Sequence, residues 1–323
     1  IVKAVVVQVT GGPEKLILED VKEPSPGRGE VLVNVEAAGL NFIDTYHRSG
    51  LYPQNLPFTP GLEGAGTIAA VGEGVTELKT GDRIGWAGVL GTYAERHLIP
   101  ADKAIPIPDG LETDTVAAVL LQGITAHYLA TDTYPLKEGD NCLIHAGSGG
   151  VGLLLTQIAK LKGAYVITTV GSEDKAVLSK AAGADEVILY RETSFKDAVE
   201  EKLGANALHV VYDGVGAATF HDGLDLLRPR GMMVTFGNAS GPVPEISPLL
   251  LAEKGSLFLT RPTMAHYIQS REELLSRTAD LFNWISKSQL NVRIGAEFSL
   301  DQAADAHRAL ESRQTSGKVL IRP

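Results

Sequence analysis

Short apolar runs alternate with helix-like segments through the middle of the chain. The runs at 141–145 (NCLIH), 165–170 (YVITTV), 186–189 (EVIL), 209–212 (HVVY), 232–236 (MMVTF) and 256–260 (SLFLT) suit strands buried on both faces. Between them, residues 173–182, 195–203 and 219–227 read as helices. Strand and helix in turn, at this spacing, predict an α/β fold: a Rossmann-type doubly wound parallel sheet of six strands. The pattern changes on either side. Runs at 30–37, 66–71 and 94–99 are short and β-like, and PSPGRGE, GEGVTELKTGD and PIPDG supply turns between them. This predicts a β-rich, barrel-like domain. Residues 1–15 read as a first strand and hairpin, neither a signal peptide nor a membrane span. Beyond Pro262 there remain a helix (271–286), a β-like stretch (292–298), a second helix (300–312) and a last strand (318–321). The expected organisation is residues 1–121 as one domain, completed by 263–323, and residues 122–262 as a nucleotide-binding domain. The active site is expected in the cleft between them, at the carboxyl ends of the sheet strands.

The first central strand runs into LIHAGSGGVG. Gly147, Gly149 and Gly152 stand in GxGxxG spacing, and Leu154, Leu155, Ile158 and Leu161 follow at helical period. Strand, glycine turn and helix in this order form a dinucleotide cradle. The first glycine permits the turn, the second lets backbone approach a pyrophosphate, and the third lets the helix pack, with its N-terminus toward the anion. No GK[ST] follows, which disfavours a P-loop enzyme. An NAD-selective site places a carboxylate at the end of the second strand. Here Gly171 and Ser172 stand there, with Lys175 one turn on and Tyr190 and Arg191 after the third strand. A hydroxyl and cations without a carboxylate favour NADP(H). Glu173 and Asp174 compete with that reading, because either one turned into the pocket would favour NAD(H).

A chain of 323 residues exceeds what one core usually serves. The 29 basic and 39 acidic residues leave a net charge of −10 with no basic cluster, which argues against nucleic acid and anionic membranes as partners. The single cysteine, Cys142, allows no intrachain disulfide and reads as core. The expected location is cytoplasmic.

GGPE at 11–14, AAGLNFIDTYHRSGLYP at 37–53, PGLEGAGTI at 60–68, GDRI at 81–84, HAGSGGVG, VYDGVG at 211–216 and SGKVLI at 316–321 resemble a zinc-free medium-chain dehydrogenase/reductase. The NADPH:quinone oxidoreductase, or ζ-crystallin-like, branch is the nearest likeness, and the matching blocks run along essentially the whole chain. The resemblance implies a GroES-like barrel for the β-rich domain, NADPH as cofactor, and a homodimer joined through the sixth Rossmann strand, whose open edge would otherwise be exposed. Where zinc-dependent relatives carry a cysteine and a histidine, this chain has Asn41 and Leu62, which are not useful zinc ligands. No metal is expected. Glu63 reads as a buried carboxylate held by hydrogen bonds.

Metal-free hydride transfer suits an acceptor whose reduced form is stabilised by its own conjugation, a quinone or an activated enone. The resemblance implies Asn41, Tyr46 and Tyr52 beside the nicotinamide as positioning groups and oxyanion donors, with both tyrosines in a loop and no essential acid or base. It further implies a cofactor site of Phe42, Ile43, Asp44, Thr45 and Tyr46 as one wall and Thr125 near phosphate or ribose. Gly149, Gly150 and Val151 would hold the pyrophosphate, and Gly171, Ser172, Lys175 and Tyr190 the adenosine phosphate. Val215, Phe236, Gly237, Asn238, Phe258 and Thr260 lie at strand ends, and Arg313 and Lys318 are read as donors to phosphate or ribose. Asp44, four residues from Arg48, also fits a local ion pair or cap; His47 and His127 are read as structural. Three functions follow in order: an NADPH-dependent quinone reductase, an NADPH-dependent reductase of α,β-unsaturated carbonyls, and an NADPH-binding structural or interaction protein.

Overall fold

A computed structural model describes residues 1–323. The chain forms two compact units: Ile1–Ile124 with Ile268–Ser288 and Val292–Pro323, and Thr125–Tyr267 with Gln289–Asn291. In chain order the first unit begins with β1 (Val2–Val6), β2 (Ile17–Val21), β3 (Glu30–Leu40), α1 (Phe42–Ser49), β4 (Glu63–Val71), β5 (Arg83–Ala87), β6 (Arg96–Pro100), β7 (Ile105–Pro106) and α2 (Thr113–Tyr128). The unit boundary falls inside α2. There follow β8 (Asn141–Ile144), α3 (Gly150–Leu161), β9 (Tyr165–Val170), α4 (Glu173–Ala181), β10 (Glu186–Leu189), α5 (Phe195–Leu203), β11 (Leu208–Asp213), α6 (Phe220–Leu226), β12 (Leu227–Thr235), α7 (Pro248–Glu253) and β13 (Phe258–Thr260). The chain then returns through α8 (Arg271–Ser286), β14 (Ile294–Ser299), α9 (Ala303–Glu311) and β15 (Lys318–Arg322).

The second unit is built on a six-stranded sheet in the order β10-β9-β8-β11-β12-β13. Every neighbouring pair is parallel. This is the doubly wound order, which reverses between β8 and β11. The central strands are apolar because helices cover both faces: Cys142, Leu143 and Ile144 have no exposed surface, and Val210, Val211 and Tyr212 beside them have none either.

In the first unit, a mostly antiparallel sheet runs β14-β15-β3-β4-β5-β7, with β6 paired to β3. Long β3 alternates buried Val33, Val35 and Ala37 with exposed Asn34 and Glu36, so one face meets the core and the other meets water. Trp86, Ile84, Ile68 and Ile99 fill that core. β1 and β2 form the expected hairpin. α1 corrects the placing of Tyr46 in a loop, while Tyr52 lies beyond the helix. It starts where Asp44 turns back to accept from the Asn41 backbone N–H at 2.9 Å, and stops at Gly50, whose φ of 87° is left-handed. No helix of the chain is long and apolar enough to cross a membrane.

Candidate functional site

The nucleotide cradle of the second unit is built at the β8–α3 turn. The left-handed residue there is Ala146, with φ 54°, so the tight turn does not rest on a glycine. The glycines are needed for space instead. A Cβ on Gly147 would lie 2.5 Å from Thr168 Cβ, and one on Gly152 would lie 2.2 Å from Ala146 O. Gly149 caps α3 in extended conformation, and the first turn of α3 holds no acidic side chain. The N–H groups of Gly150, Val151 and Gly152 therefore open an unopposed helix N-terminus, which suits a pyrophosphate.

At the end of β9 the adenosine-side residues come together. A Cβ on Gly171 would meet Tyr190 Oη at 2.8 Å and Arg191 Nε at 3.5 Å, so phenol and guanidinium converge on the backbone where a carboxylate would otherwise stand. Ser172 caps α4, Lys175 sits in its first turn half-buried, and Glu173 and Asp174 are exposed. The loops after β11 and β12 are held by Asp213, a residue that sequence reasoning passed over. Its fully buried carboxylate accepts from Val215 N at 2.8 Å, Gly216 N at 3.0 Å and Thr219 Oγ1 at 2.7 Å, which fixes the loop bearing Val215. Gly237 lies so close to the neighbouring loop that a Cβ would be 2.4 Å from Gly214 O, and Phe236 packs beside Gly214. Arg261 donates to Gly237 O at 3.1 Å and was likewise missed. Thr125 is buried. Asn238 lies in the segment after β12, and Thr260 ends β13. Phe258 on β13 is 57% exposed, so core packing does not account for it.

The first unit gathers the remaining candidates around α1. Phe42, Tyr46 and Tyr52 form an aromatic cluster, with ring centroids 6.2 Å apart for Phe42–Tyr46 and 5.1 Å for Tyr46–Tyr52. Ile43 is half-buried, and the Thr45 hydroxyl donates to Phe42 O at 2.7 Å. Asn41 is buried and both ends of its amide are engaged. Nδ2 donates to Glu63 Oε2 at 2.8 Å and faces Gly39 O at 3.2 Å, while Oδ1 accepts from Lys318 Nζ at 3.0 Å. Asn41 is thus a structural link, not an oxyanion donor. Lys318 is corrected as well: it is 1% exposed and ion-paired with Glu63, so its ammonium does not reach a phosphate from the surface. Glu63 also accepts from Leu121 N at 2.8 Å, which makes it the buried, hydrogen-bonded carboxylate expected. Arg313 is exposed with φ 60°. Asp44 does not pair with Arg48, whose guanidinium instead engages Glu311.

Residues 27–109 match the alcohol dehydrogenase GroES-like domain, and residues 150–283 match the zinc-binding dehydrogenase domain. The chain is 44% identical to a quinone oxidoreductase of Pseudomonas aeruginosa over 97% of each chain. It is 39% identical to a 2-haloacrylate reductase of a Burkholderia species over 100% of this chain and 99% of the other. The structure of Escherichia coli quinone oxidoreductase complexed with NADPH superposes with a TM-score of 0.97 at 42% identity, covering 99% of this chain and 100% of that one. The fold and the glycine cradle define a medium-chain dehydrogenase/reductase. Within that class, the chain belongs to the quinone oxidoreductase family.

Proposed function

We propose that this chain is an NADPH-dependent quinone reductase that works without zinc. The observation that carries the reading is the likeness, over essentially the full length, to a quinone oxidoreductase solved with NADPH. The residues fit that cofactor. The α3 N-terminus suits the pyrophosphate, and Gly171 with Tyr190, Arg191, Ser172 and Lys175 suits a 2′-phosphate better than a bare ribose. NADPH, when bound, supplies the hydride. The chain contributes position: Asp213 and Gly237 hold the loops bearing Val215, Phe236 and Asn238, and the aromatic cluster of Phe42, Tyr46 and Tyr52 offers flat apolar surface with phenolic donors.

A zinc ion does not fit. Asn41 and Leu62 replace the expected ligands, and the space beside Glu63 is taken by the Lys318 ammonium, which would repel a second cation. The open β13 edge, with exposed Phe258 and Leu259, is assigned to a second copy of the chain. A lone buried cysteine suits a cytoplasmic setting.

Likeness to the 2-haloacrylate reductase favours a second reading, reduction of an α,β-unsaturated carbonyl compound. The deciding experiment measures NADPH and NADH oxidation with 1,4-benzoquinone and with a simple enone, with and without chelator. Chelator-insensitive turnover of NADPH with the quinone is expected. A higher kcat/KM for the enone moves the assignment to the second reading, and loss of activity on chelation sinks the zinc-free one. Tight NADPH binding without turnover of either acceptor would leave a binding protein.

A further inference from the structure

We infer that Asp44 is a positioning residue that holds a proton on Oδ1: the side chain is wholly buried, Oδ1 has no donor to stabilise a charge on it, and a buried chain of donors reserves the other oxygen for accepting. The chain starts at Arg48, 3% exposed, whose guanidinium pairs with Glu311 and also donates to Gly11 O. Arg48 NH1 lies 3.0 Å from His307 Nδ1. A guanidinium can only donate, so Nδ1 accepts and the imidazole proton sits on Nε2. Nε2 lies 3.2 Å from Tyr93 Oη, so it donates to the phenol oxygen. The phenol proton is then directed to Asp44 Oδ2 at 2.8 Å, where the Asn41 backbone N–H donates as well, at 2.9 Å. Oδ2 thus faces two donors and has no room for a proton of its own. Oδ1 is buried and has no partner.

The surroundings agree with this polarity. Burial pushes the Asp44 carboxyl up to about 7 against the pull of its two donors, and burial together with Arg48 pushes His307 down to about 3, which keeps the imidazole neutral. The groups acting on Asp44 come from each element around it. Tyr93 donates from the segment before β6, Lys318 on β15 attracts and Glu63 on β4 repels. Of the other titratable and charged groups in the array, His47 and Arg48 share its helix and His307 and Glu311 lie on α9, and none of these four is among the leading causes of its shift. Ionised Asp44 would compete with Glu63 for Lys318, the ammonium that also holds Asn41 Oδ1. Neutral Asp44 leaves the Glu63–Lys318–Asn41 cluster at the start of α1 intact. Helix α1 carries Phe42 and Tyr46, so the state of Asp44 sets their placement. This link to catalysis rests on the proposed quinone reduction; the proton site itself does not.

The test begins with carbon-13 NMR of the full chain labelled at aspartate carboxyls. One carboxyl should titrate near neutral pH. It should be missing in Asp44→Asn, whose amide reproduces the neutral carboxyl, and its midpoint should rise in Tyr93→Phe, which removes a donor to the anion. Aspartates that all titrate below pH 5 overturn the inference. In parallel, kcat/KM for 1,4-benzoquinone should fall in the wild type as pH rises through about 7, and Asp44→Asn should remove that step. A step that persists in Asp44→Asn refutes the positioning role. An NMR titration as expected in a protein with no quinone turnover would support the proton site and count against the functional assignment alone.

Discussion

An ammonium with no access to water survives only where other groups replace its hydration. For Lys318, those groups are Glu63 and Asn41 Oδ1, and burial still lowers the pKa of the lysine. The pair is therefore a conditional asset. Removal of one partner leaves the other buried and uncompensated, at a cost of about 3–5 kcal/mol. Glu63→Gln should lose that much in a urea titration, since its amide cannot neutralise Lys318. Adding Lys318→Met should recover part of the loss, because the two changes act on one interaction and are not additive. Losses that simply sum would mean that the pair contributes nothing as a pair. Nothing local in SGKVLI distinguishes this lysine from a surface one, which is why sequence reasoning assigned it to a phosphate.

At the scale of elements, α3 shows why parts of the molecule are legible. Its cradle is decided by residues adjacent in sequence: Ala146 makes the turn, and Gly147 and Gly152 leave space within it. Gly152→Ala should therefore push the first turn of α3 off Ala146 O, with about 1–3 kcal/mol of strain. NADPH should bind at least several-fold more weakly by fluorescence titration, and unchanged affinity would exclude the helix start from phosphate binding. The central parallel strands were equally legible, because burial on both faces writes β8, β9 and β11 as apolar runs. Helix α1 was not. It spans only eight residues, and its buried side chains include Asp44, Thr45, His47 and Arg48, so a search for apolar periodicity sees a polar loop. β7, at two residues, is too short to leave a pattern. The array from Arg48 through His307 and Tyr93 to Asp44 joins positions up to 263 apart, counting Glu311, and only the tertiary fold assembles it.

At the scale of the whole molecule, the β13 edge is the feature that a single copy leaves unresolved. β13 pairs with β12 alone, and its Phe258 and Leu259 are 57% and 37% exposed. Backbone donors and acceptors at such an edge can pair with a second chain, and apolar side chains at the same place add burial. Two copies joined there would continue one six-stranded sheet into the next. Light scattering should therefore give twice 34.3 kDa for the wild type, and Leu259→Lys, which puts a charge on the edge strand, should shift the mass toward 34.3 kDa. Each copy carries a net charge of −10, so association also works against long-range repulsion. The dimer should then tighten as salt rises from roughly 0.01 M, where screening reaches about 30 Å, to 0.15 M, where it reaches about 8 Å. A dimer that loosens with salt would instead place ion pairs at the interface, which the apolar β13 edge does not provide.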